Sequence, residues 1–235
     1  MTDWLPGVHV APNIQGDART YEIENEALDP DGHITAAMRG IRDWTDAVVC
    51  DLGAGTGYWA KTFADTAQHV FCVEPHGPSR MLACERVARM CWMGVSVLAG
   101  SAEKTNLATN SADFVHARFA YFWGPGANAG LEEVARILRP GGAFVMIDND
   151  LRRGTFARWL GQTDPSQQRD PDVVDAWWLE RGCAITEVPS CWRFQSRADL
   201  EAVVRLELPS IAEQLLAEHD GLEVEYVYRL FSFRA

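Results

Sequence analysis

The segment VVCDLGAGTG at 48–57 ends an apolar run in Asp51, and Gly53, Gly55 and Gly57 then alternate with small residues such as Ala54. A backbone without Cβ atoms approaches a ligand closely, and a helix beginning just after it offers free N–H groups and the positive end of its dipole. A merely tight strand-to-helix turn would use the same residues. The spacing is G-x-G-x-G, with Tyr58 where a dinucleotide loop would carry its third glycine, and this disfavours NAD(P). Seventeen residues beyond Gly57, the apolar run VFCVEP reaches Glu74. A carboxylate at a strand end accepts hydrogen bonds from both hydroxyls of a ribose, at ~1.5–3 kcal/mol for each charge-assisted bond. An exposed loop glutamate is the plainer alternative. The tetrapeptide Gly100-Ser101-Ala102-Glu103 follows the next apolar run, where it could reach an adenine amino group.

These residues need a scaffold, and short apolar runs alternate with amphipathic segments throughout the middle of the chain. Strands are expected near 47–52, 69–74, 95–99, 112–117 and 142–148, with helices at 58–67, 78–92 and 128–138. That order predicts an α/β fold with a parallel sheet and helices on both faces. Two long alternating strands, Ala184 to Phe194 and Leu222 to Phe233, with helical stretches at 197–207 and 210–218 between them, suit an antiparallel pair at a sheet edge. Residues 1–20 read as an irregular arm. Tyr21 to Trp44 reads as a helical lead-in, broken at Asp29-Pro30-Asp31-Gly32 before a helix with Ile34, Ala37, Met38 and Ile41 on one face. The division expected is an arm and helical lead-in over 1–44 and a ligand-binding domain over 45–235.

With these motifs in this order, residues 45–150 resemble the class I, Rossmann-like S-adenosylmethionine-dependent methyltransferases, particularly their small-molecule branch. DLGAGTG corresponds to the first motif, Glu74 to the acidic end of the second strand, Gly100-Ser101-Ala102-Glu103 to the adenine-contacting segment, and LRPGG at 138–142 to the loop before the fifth strand. The resemblance implies a seven-stranded sheet of order 3-2-1-4-5-7-6 with the seventh strand antiparallel. It also implies that Asp51 orders the loop near the methionine amino group, that Gly53, Ala54, Gly55 and Gly57 pass beneath the cofactor, and that Glu74 holds the ribose. N-terminal helices often close over the site in this family, so the lead-in with Tyr21, Glu22, Glu24, Glu26 and His33 suggests a lid; a solvated helix face would look the same. Glu22 is expected to matter little for cofactor binding.

The acceptor side should lie beyond strands four and five, where open α/β sheets bind ligands. There the chain reads His116-Ala-Arg118-Phe119-Ala-Tyr121-Phe122-Trp123, without the D/N-P-P-Y/F signature of base and glutamine N-methylation or the Pro-Cys pair of cytosine C5 enzymes. Phe119, Tyr121, Phe122 and Trp123 could wall a small-molecule pocket, with the tyrosine hydroxyl and indole N–H as orienting donors, or could simply pack a helix on the sheet. His116 is a candidate general base, with Tyr21 and His33 as further candidates, although a lone strand-end histidine is commonly structural. No catalytic residue is established by the sequence. Arg118, Tyr121, Trp123, Asn149 and Asp150 are the candidate acceptor-pocket residues. Asp148-Asn149-Asp150 resembles part of the metal site of catechol-type O-methyltransferases, but Ala117 and Arg118 stand where the second aspartate would be needed. No metal is therefore expected, and Arg118 is a possible partner for Asp148 or Asp150.

The chain has 235 residues and a net charge of −12, with 47% hydrophobic and 23% charged residues, the proportions of an ordinary globular protein. An acidic surface without a basic run disfavours nucleic acid. The six cysteines, without a CxxC pair, read as reduced core residues, and no signal-like or membrane-length apolar run occurs; a cytoplasmic protein with no membrane partner is expected. The expected activity is methyl transfer from S-adenosylmethionine to an oxygen or nitrogen of a small molecule, by in-line displacement with positioning as the protein's main contribution. A peptide or protein acceptor, or a non-catalytic S-adenosylmethionine-binding protein, are the alternatives.

Overall fold

The computed structural model describes Leu5, Val8 and residues 17–235, the side chain of Gln167 excepted. The arm expected over 1–20 lies largely outside the described residues. Asp17 caps α1 (Ala18–Ala27) by accepting from Arg19 and Thr20 N–H, and α2 (His33–Ile41) follows after the break at 29–32. In α2, Ile34 and Met38 are buried on the face predicted by their spacing.

The alternating region gives β1 (Val48–Leu52), a 3-10 turn (Tyr58–Ala60) running into α3 (Lys61–Ala64), β2 (His69–Glu74), α4 (Gly77–Met90), β3 (Val95–Ala99), β4 (Ala112–Arg118), α5 (Asn128–Ile137) and β5 (Leu138–Asn149). There follow α6 (Gly154–Leu160), α7 (Pro171–Leu179), β6 (Ala184–Arg193), α8 (Arg197–Glu207), α9 (Ala212–Glu218) and β7 (Glu223–Arg234). All seven strands form one sheet of order β3-β2-β1-β4-β5-β7-β6. Strands β1 to β5 are parallel, and β7 runs antiparallel to both β5 and β6.

Strand β1 is buried along its whole length, as a central parallel strand covered on both faces must be. Successive side chains enter opposite cores: Val49 joins Trp44, Phe63 and Phe114, while Cys50 joins Val115, Phe144 and Trp178. Helices α6 and α7 were not predicted. Their stretch is rich in arginine, aspartate and proline, and α7 is set by the Asp170 cap and Pro171 at its start rather than by an apolar period.

Candidate functional site

The glycine turn is docked on β2 by main-chain bonds, the Gly53 and Ala54 N–H groups donating to Val73 O at 2.8 and 3.1 Å. Gly53 has φ +76°, and a Cβ there would lie 2.7 Å from the Ala120 side chain, so the position requires glycine. Gly57 has φ +71° and packs against Ala83. Glu74, 5% exposed, accepts the Gly55 N–H on Oε2 and the His76 N–H on Oε1, each at 2.8 Å. Burial pushes its carboxyl above the ordinary glutamate value, against the pull of those two N–H groups. Each carboxylate oxygen retains a second lone pair for a ribose hydroxyl.

Asp51 and His116 are paired in register on β1 and β4, and their side chains meet at 2.8 Å, Oδ1 to Nδ1. They are 3% and 1% exposed. Burial holds the imidazole below its ordinary pKa, so the ring is neutral and donates its Nδ1–H to the carboxylate. Asp51 Oδ2 and His116 Nε2 have no hydrogen-bond partner. The imidazole lies against Phe63 and does not line the cavity, which makes His116 a residue that orients Asp51.

A cavity of about 290 Å³ opens over the carboxyl ends of the strands. Gly53, Gly55, Glu74, Ser101, Ala102 and Glu103 form one side of it. Tyr21, Glu24 and Asn25 of α1, Leu28 just after it, the loop from Arg118 to Trp123, Asp148, Asn149, Arg169, Glu207 and Tyr226 form the other. Phe119 and Tyr121 take left-handed φ angles of 49° and 58°, turning the aromatic loop sharply past the end of β4. The Tyr121 hydroxyl donates to Glu103 Oε1 at 2.9 Å and so bridges the two sides. Ala54, Gly57, Asp51, His33 and Asp150 lie outside the cavity lining, and His33 Nδ1 instead sits 3.1 Å from Pro189 O.

The charged groups of the second side differ from the pairing anticipated. Asp148 is held by Arg169 at 2.5 and 3.2 Å, and Asp150 by Arg153 at 2.8 Å with Arg229 at 3.9 Å. Arg118 pairs with neither aspartate: its guanidinium stacks 3.6 Å from the Trp59 ring centroid. Among the described residues no group of three or more His, Cys, Asp or Glu is placed to hold a metal ion. Glu24 and Glu207 face each other; burial first, then the neighbouring Glu207 carboxylate, push the Glu24 carboxyl well above its ordinary value. Asn149 Oδ1 accepts from the Tyr226 hydroxyl.

Helix α1 is fastened to the glycine turn. Glu22 accepts from the Thr56 hydroxyl and pairs with Arg86, which donates from Nε to Thr56 O at 3.0 Å. Asn25 Oδ1 accepts from Trp59 Nε1 at 2.9 Å. The expectation that Glu22 is incidental to cofactor binding therefore conflicts with its contact to the loop.

These features match a known domain: residues 49–142 fit the family model described as "Methyltransferase domain". Residues 49–142 are thus similar to a methyltransferase domain. The chain resembles an uncharacterized methyltransferase of Mycobacterium tuberculosis, 36% identical over 128 residues, 54% of this chain and 49% of that relative. The chain thus spans about half the length of the curated relatives it matches first. In fold it resembles the YcgJ protein of Bacillus subtilis, with a TM-score of 0.61, 18% identity, and coverage of 86% of this chain and 97% of that one. A SAM-dependent methyltransferase from Aquifex aeolicus superposes with a TM-score of 0.57 and 14% identity over 91% of this chain and 97% of its own.

The cofactor fits the groups present. Gly53 leaves a cradle that a Cβ would fill, Glu74 offers two acceptor oxygens, and Asp51 Oδ2 is an orphaned buried acceptor. Sequence reasoning missed Asn25, Arg169, Glu207 and Tyr226 as cavity residues, and named Glu24 only as part of a helix. Asn25 lies on the lead-in helix already suspected as a lid, and that was the available signal. The other three lie on segments with no motif, and Glu207 looks like the polar end of an ordinary amphipathic helix.

Proposed function

We propose that the chain transfers a methyl group from S-adenosylmethionine to an oxygen or nitrogen of a small-molecule acceptor. The observation that carries this reading is a cavity of about 290 Å³ that runs continuously from the glycine turn and Glu74 to a wall of aromatic and titratable side chains. Its size is near the lower end of small-molecule sites. S-adenosylmethionine, when bound, supplies a methyl group activated on a sulfonium. Glu74 orients the ribose, and Asp51, aligned by His116 beneath the cavity lining, orders the glycine turn on which the amino-acid end would rest. Ser101, Ala102 and Glu103 border the adenine side. Tyr21, whose phenol is kept protonated by burial, and the loop from Phe119 to Trp123 exclude water around the acceptor. Alignment of this kind can account for roughly 7–11 kcal/mol of a barrier.

Helix α1 acts as a lid in this reading, supported by its three cavity residues and by the Glu22–Thr56 and Asn25–Trp59 contacts. The chain works in the cytoplasm and without nucleic acid, supported by its six free cysteines and its charge of −12. No helix among the described residues is long and apolar enough to cross a membrane.

The test has two stages. Calorimetry should show binding of S-adenosylmethionine and S-adenosylhomocysteine but not NAD(P). Incubation with methyl-labelled cofactor should then label the low-mass fraction of a metabolite extract. Label confined to protein would overturn the small-molecule acceptor.

A further inference from the structure

Two arginines among the described residues are buried, and their surroundings differ. Arg229, 7% exposed, has Asp175 at 3.0 Å and Asp150 at 3.9 Å. Arg118, 8% exposed, ends β4 on the cavity wall, and its Nε and Nη1 have no hydrogen-bond partner. Stacking on Trp59 at 3.6 Å fixes the guanidinium plane without using its N–H groups. Asp51, Asp29, Tyr21 and Tyr228 bear on it electrostatically, but none is bonded to it. A buried cation is costly unless paired, and burial pushes this guanidinium down to about 10. It remains charged at neutral pH.

We propose that Arg118 is the carboxylate-binding residue of this cavity, its unpaired N–H groups receiving a planar carboxylate from a bound molecule. Arg169, the other cavity arginine, is already occupied by Asp148. A carboxylate suits the fork of a guanidinium and carries one negative charge. A phosphate would bring more negative charge into a cavity already lined by Glu24, Glu74, Glu103, Asp148 and Glu207. The carboxylate belongs either to the amino-acid end of the cofactor or to the acceptor. The inference rests on the proposed function in taking these two molecules as the occupants.

Calorimetry on the full chain distinguishes the sources. S-adenosylhomocysteine is compared with S-adenosyl-3-thiopropylamine, the same molecule without its carboxylate, on the parent and on Arg118→Met. If the cofactor is the source, the parent prefers S-adenosylhomocysteine by about ten- to a hundredfold and Arg118→Met loses that preference. If the acceptor is the source, the cofactor pair is unaffected. Acetate, benzoate and glutarate then bind the parent in preference to their amides, with or without S-adenosylhomocysteine, and Arg118→Met abolishes the difference. Should Arg118→Met fail to fold, the preferences of the parent and of Arg118→Lys serve instead, the lysine retaining charge but losing the fork. Absence of both preferences in the parent, or their persistence in Arg118→Met, overturns the role of Arg118. Failure of the parent to bind S-adenosylhomocysteine overturns the proposed function separately, because the carboxylate panel is also read on free protein.

Discussion

The two sides of the cavity are built by different means. On the side proposed for the cofactor the bonds run through main chain: Val73 O holds the glycine turn, and Glu74 gathers the Gly55 and His76 N–H groups. On the side proposed for the acceptor, side chains from α1, β4, β5, α8 and β7 converge, Glu24 meeting Glu207 and Asp148 meeting Arg169, while Arg118 has no bonded carboxylate. A main-chain site tolerates change in most neighbouring side chains. A site of converging side chains alters its chemistry with each substitution, so one side can keep its ligand while the other varies its acceptor.

The sharpest way to break this comparison is Glu74→Ala. It removes the ribose acceptor and leaves two buried N–H groups unpaired, and cofactor affinity should fall by about 2–4 kcal/mol in calorimetry. Tyr226→Phe, on the acceptor side, should leave that affinity unchanged. Equal effects would erase the distinction.

His116→Phe comes next, with an expected loss of about 1–3 kcal/mol in chemical denaturation, because Asp51 Oδ1 is left buried without its donor. Burial depresses the native pKa of His116, so the unfolded chain takes up its proton first as pH falls. Parent stability should therefore decline below the ordinary histidine value, and the variant should lack that component.

Glu24→Gln should act with the opposite pH sense. A raised native carboxyl pKa stabilises the fold below the ordinary glutamate value, and the contribution is lost as pH rises through the native value. The melting temperature of Glu24→Gln relative to the parent should therefore be more favourable near about pH 8 than near about pH 4. A pH-independent difference would mean that Glu24 and Glu207 share no proton.

Glu22→Ala should have a smaller effect, about 0.5–1 kcal/mol on cofactor affinity, since its contacts to Thr56 and Arg86 are partly solvated. Proteolysis near Tyr21 in the presence of S-adenosylhomocysteine should be faster than in the parent. EDTA should have no effect on turnover, because Asp148 is engaged by Arg169 and Asp150 by Arg153. Restoration of lost turnover by magnesium would show that Arg169 gives way to a cation.

Legibility followed the same division. The glycine turn and Glu74 were readable because a close backbone approach and a strand-end acid impose residue types at short, consecutive spacings. The aromatic loop was readable as a candidate wall, but Arg118 was expected to pair with Asp148 or Asp150. That failed because Arg169 and Arg153, from segments showing no periodic signal, reach those carboxylates first. Helices α6 and α7 escaped for a related reason, since cap residues and tertiary packing hold them more than an apolar period does.

By itself the sequence determined the order of the strands and of most helices and the glycine-turn end of the cavity, since pleat alternation, parallel-strand burial and glycine's freedom at positive φ act between near neighbours, while the strand order of the sheet was legible only through the family resemblance. Only the tertiary structure decided that His116 serves Asp51, that Glu24 meets Glu207, and that Arg118 lies buried without a bonded carboxylate. Those outcomes depend on which of many charged side chains arrive within hydrogen-bond distance once distant segments pack, and no local spacing encodes that distance.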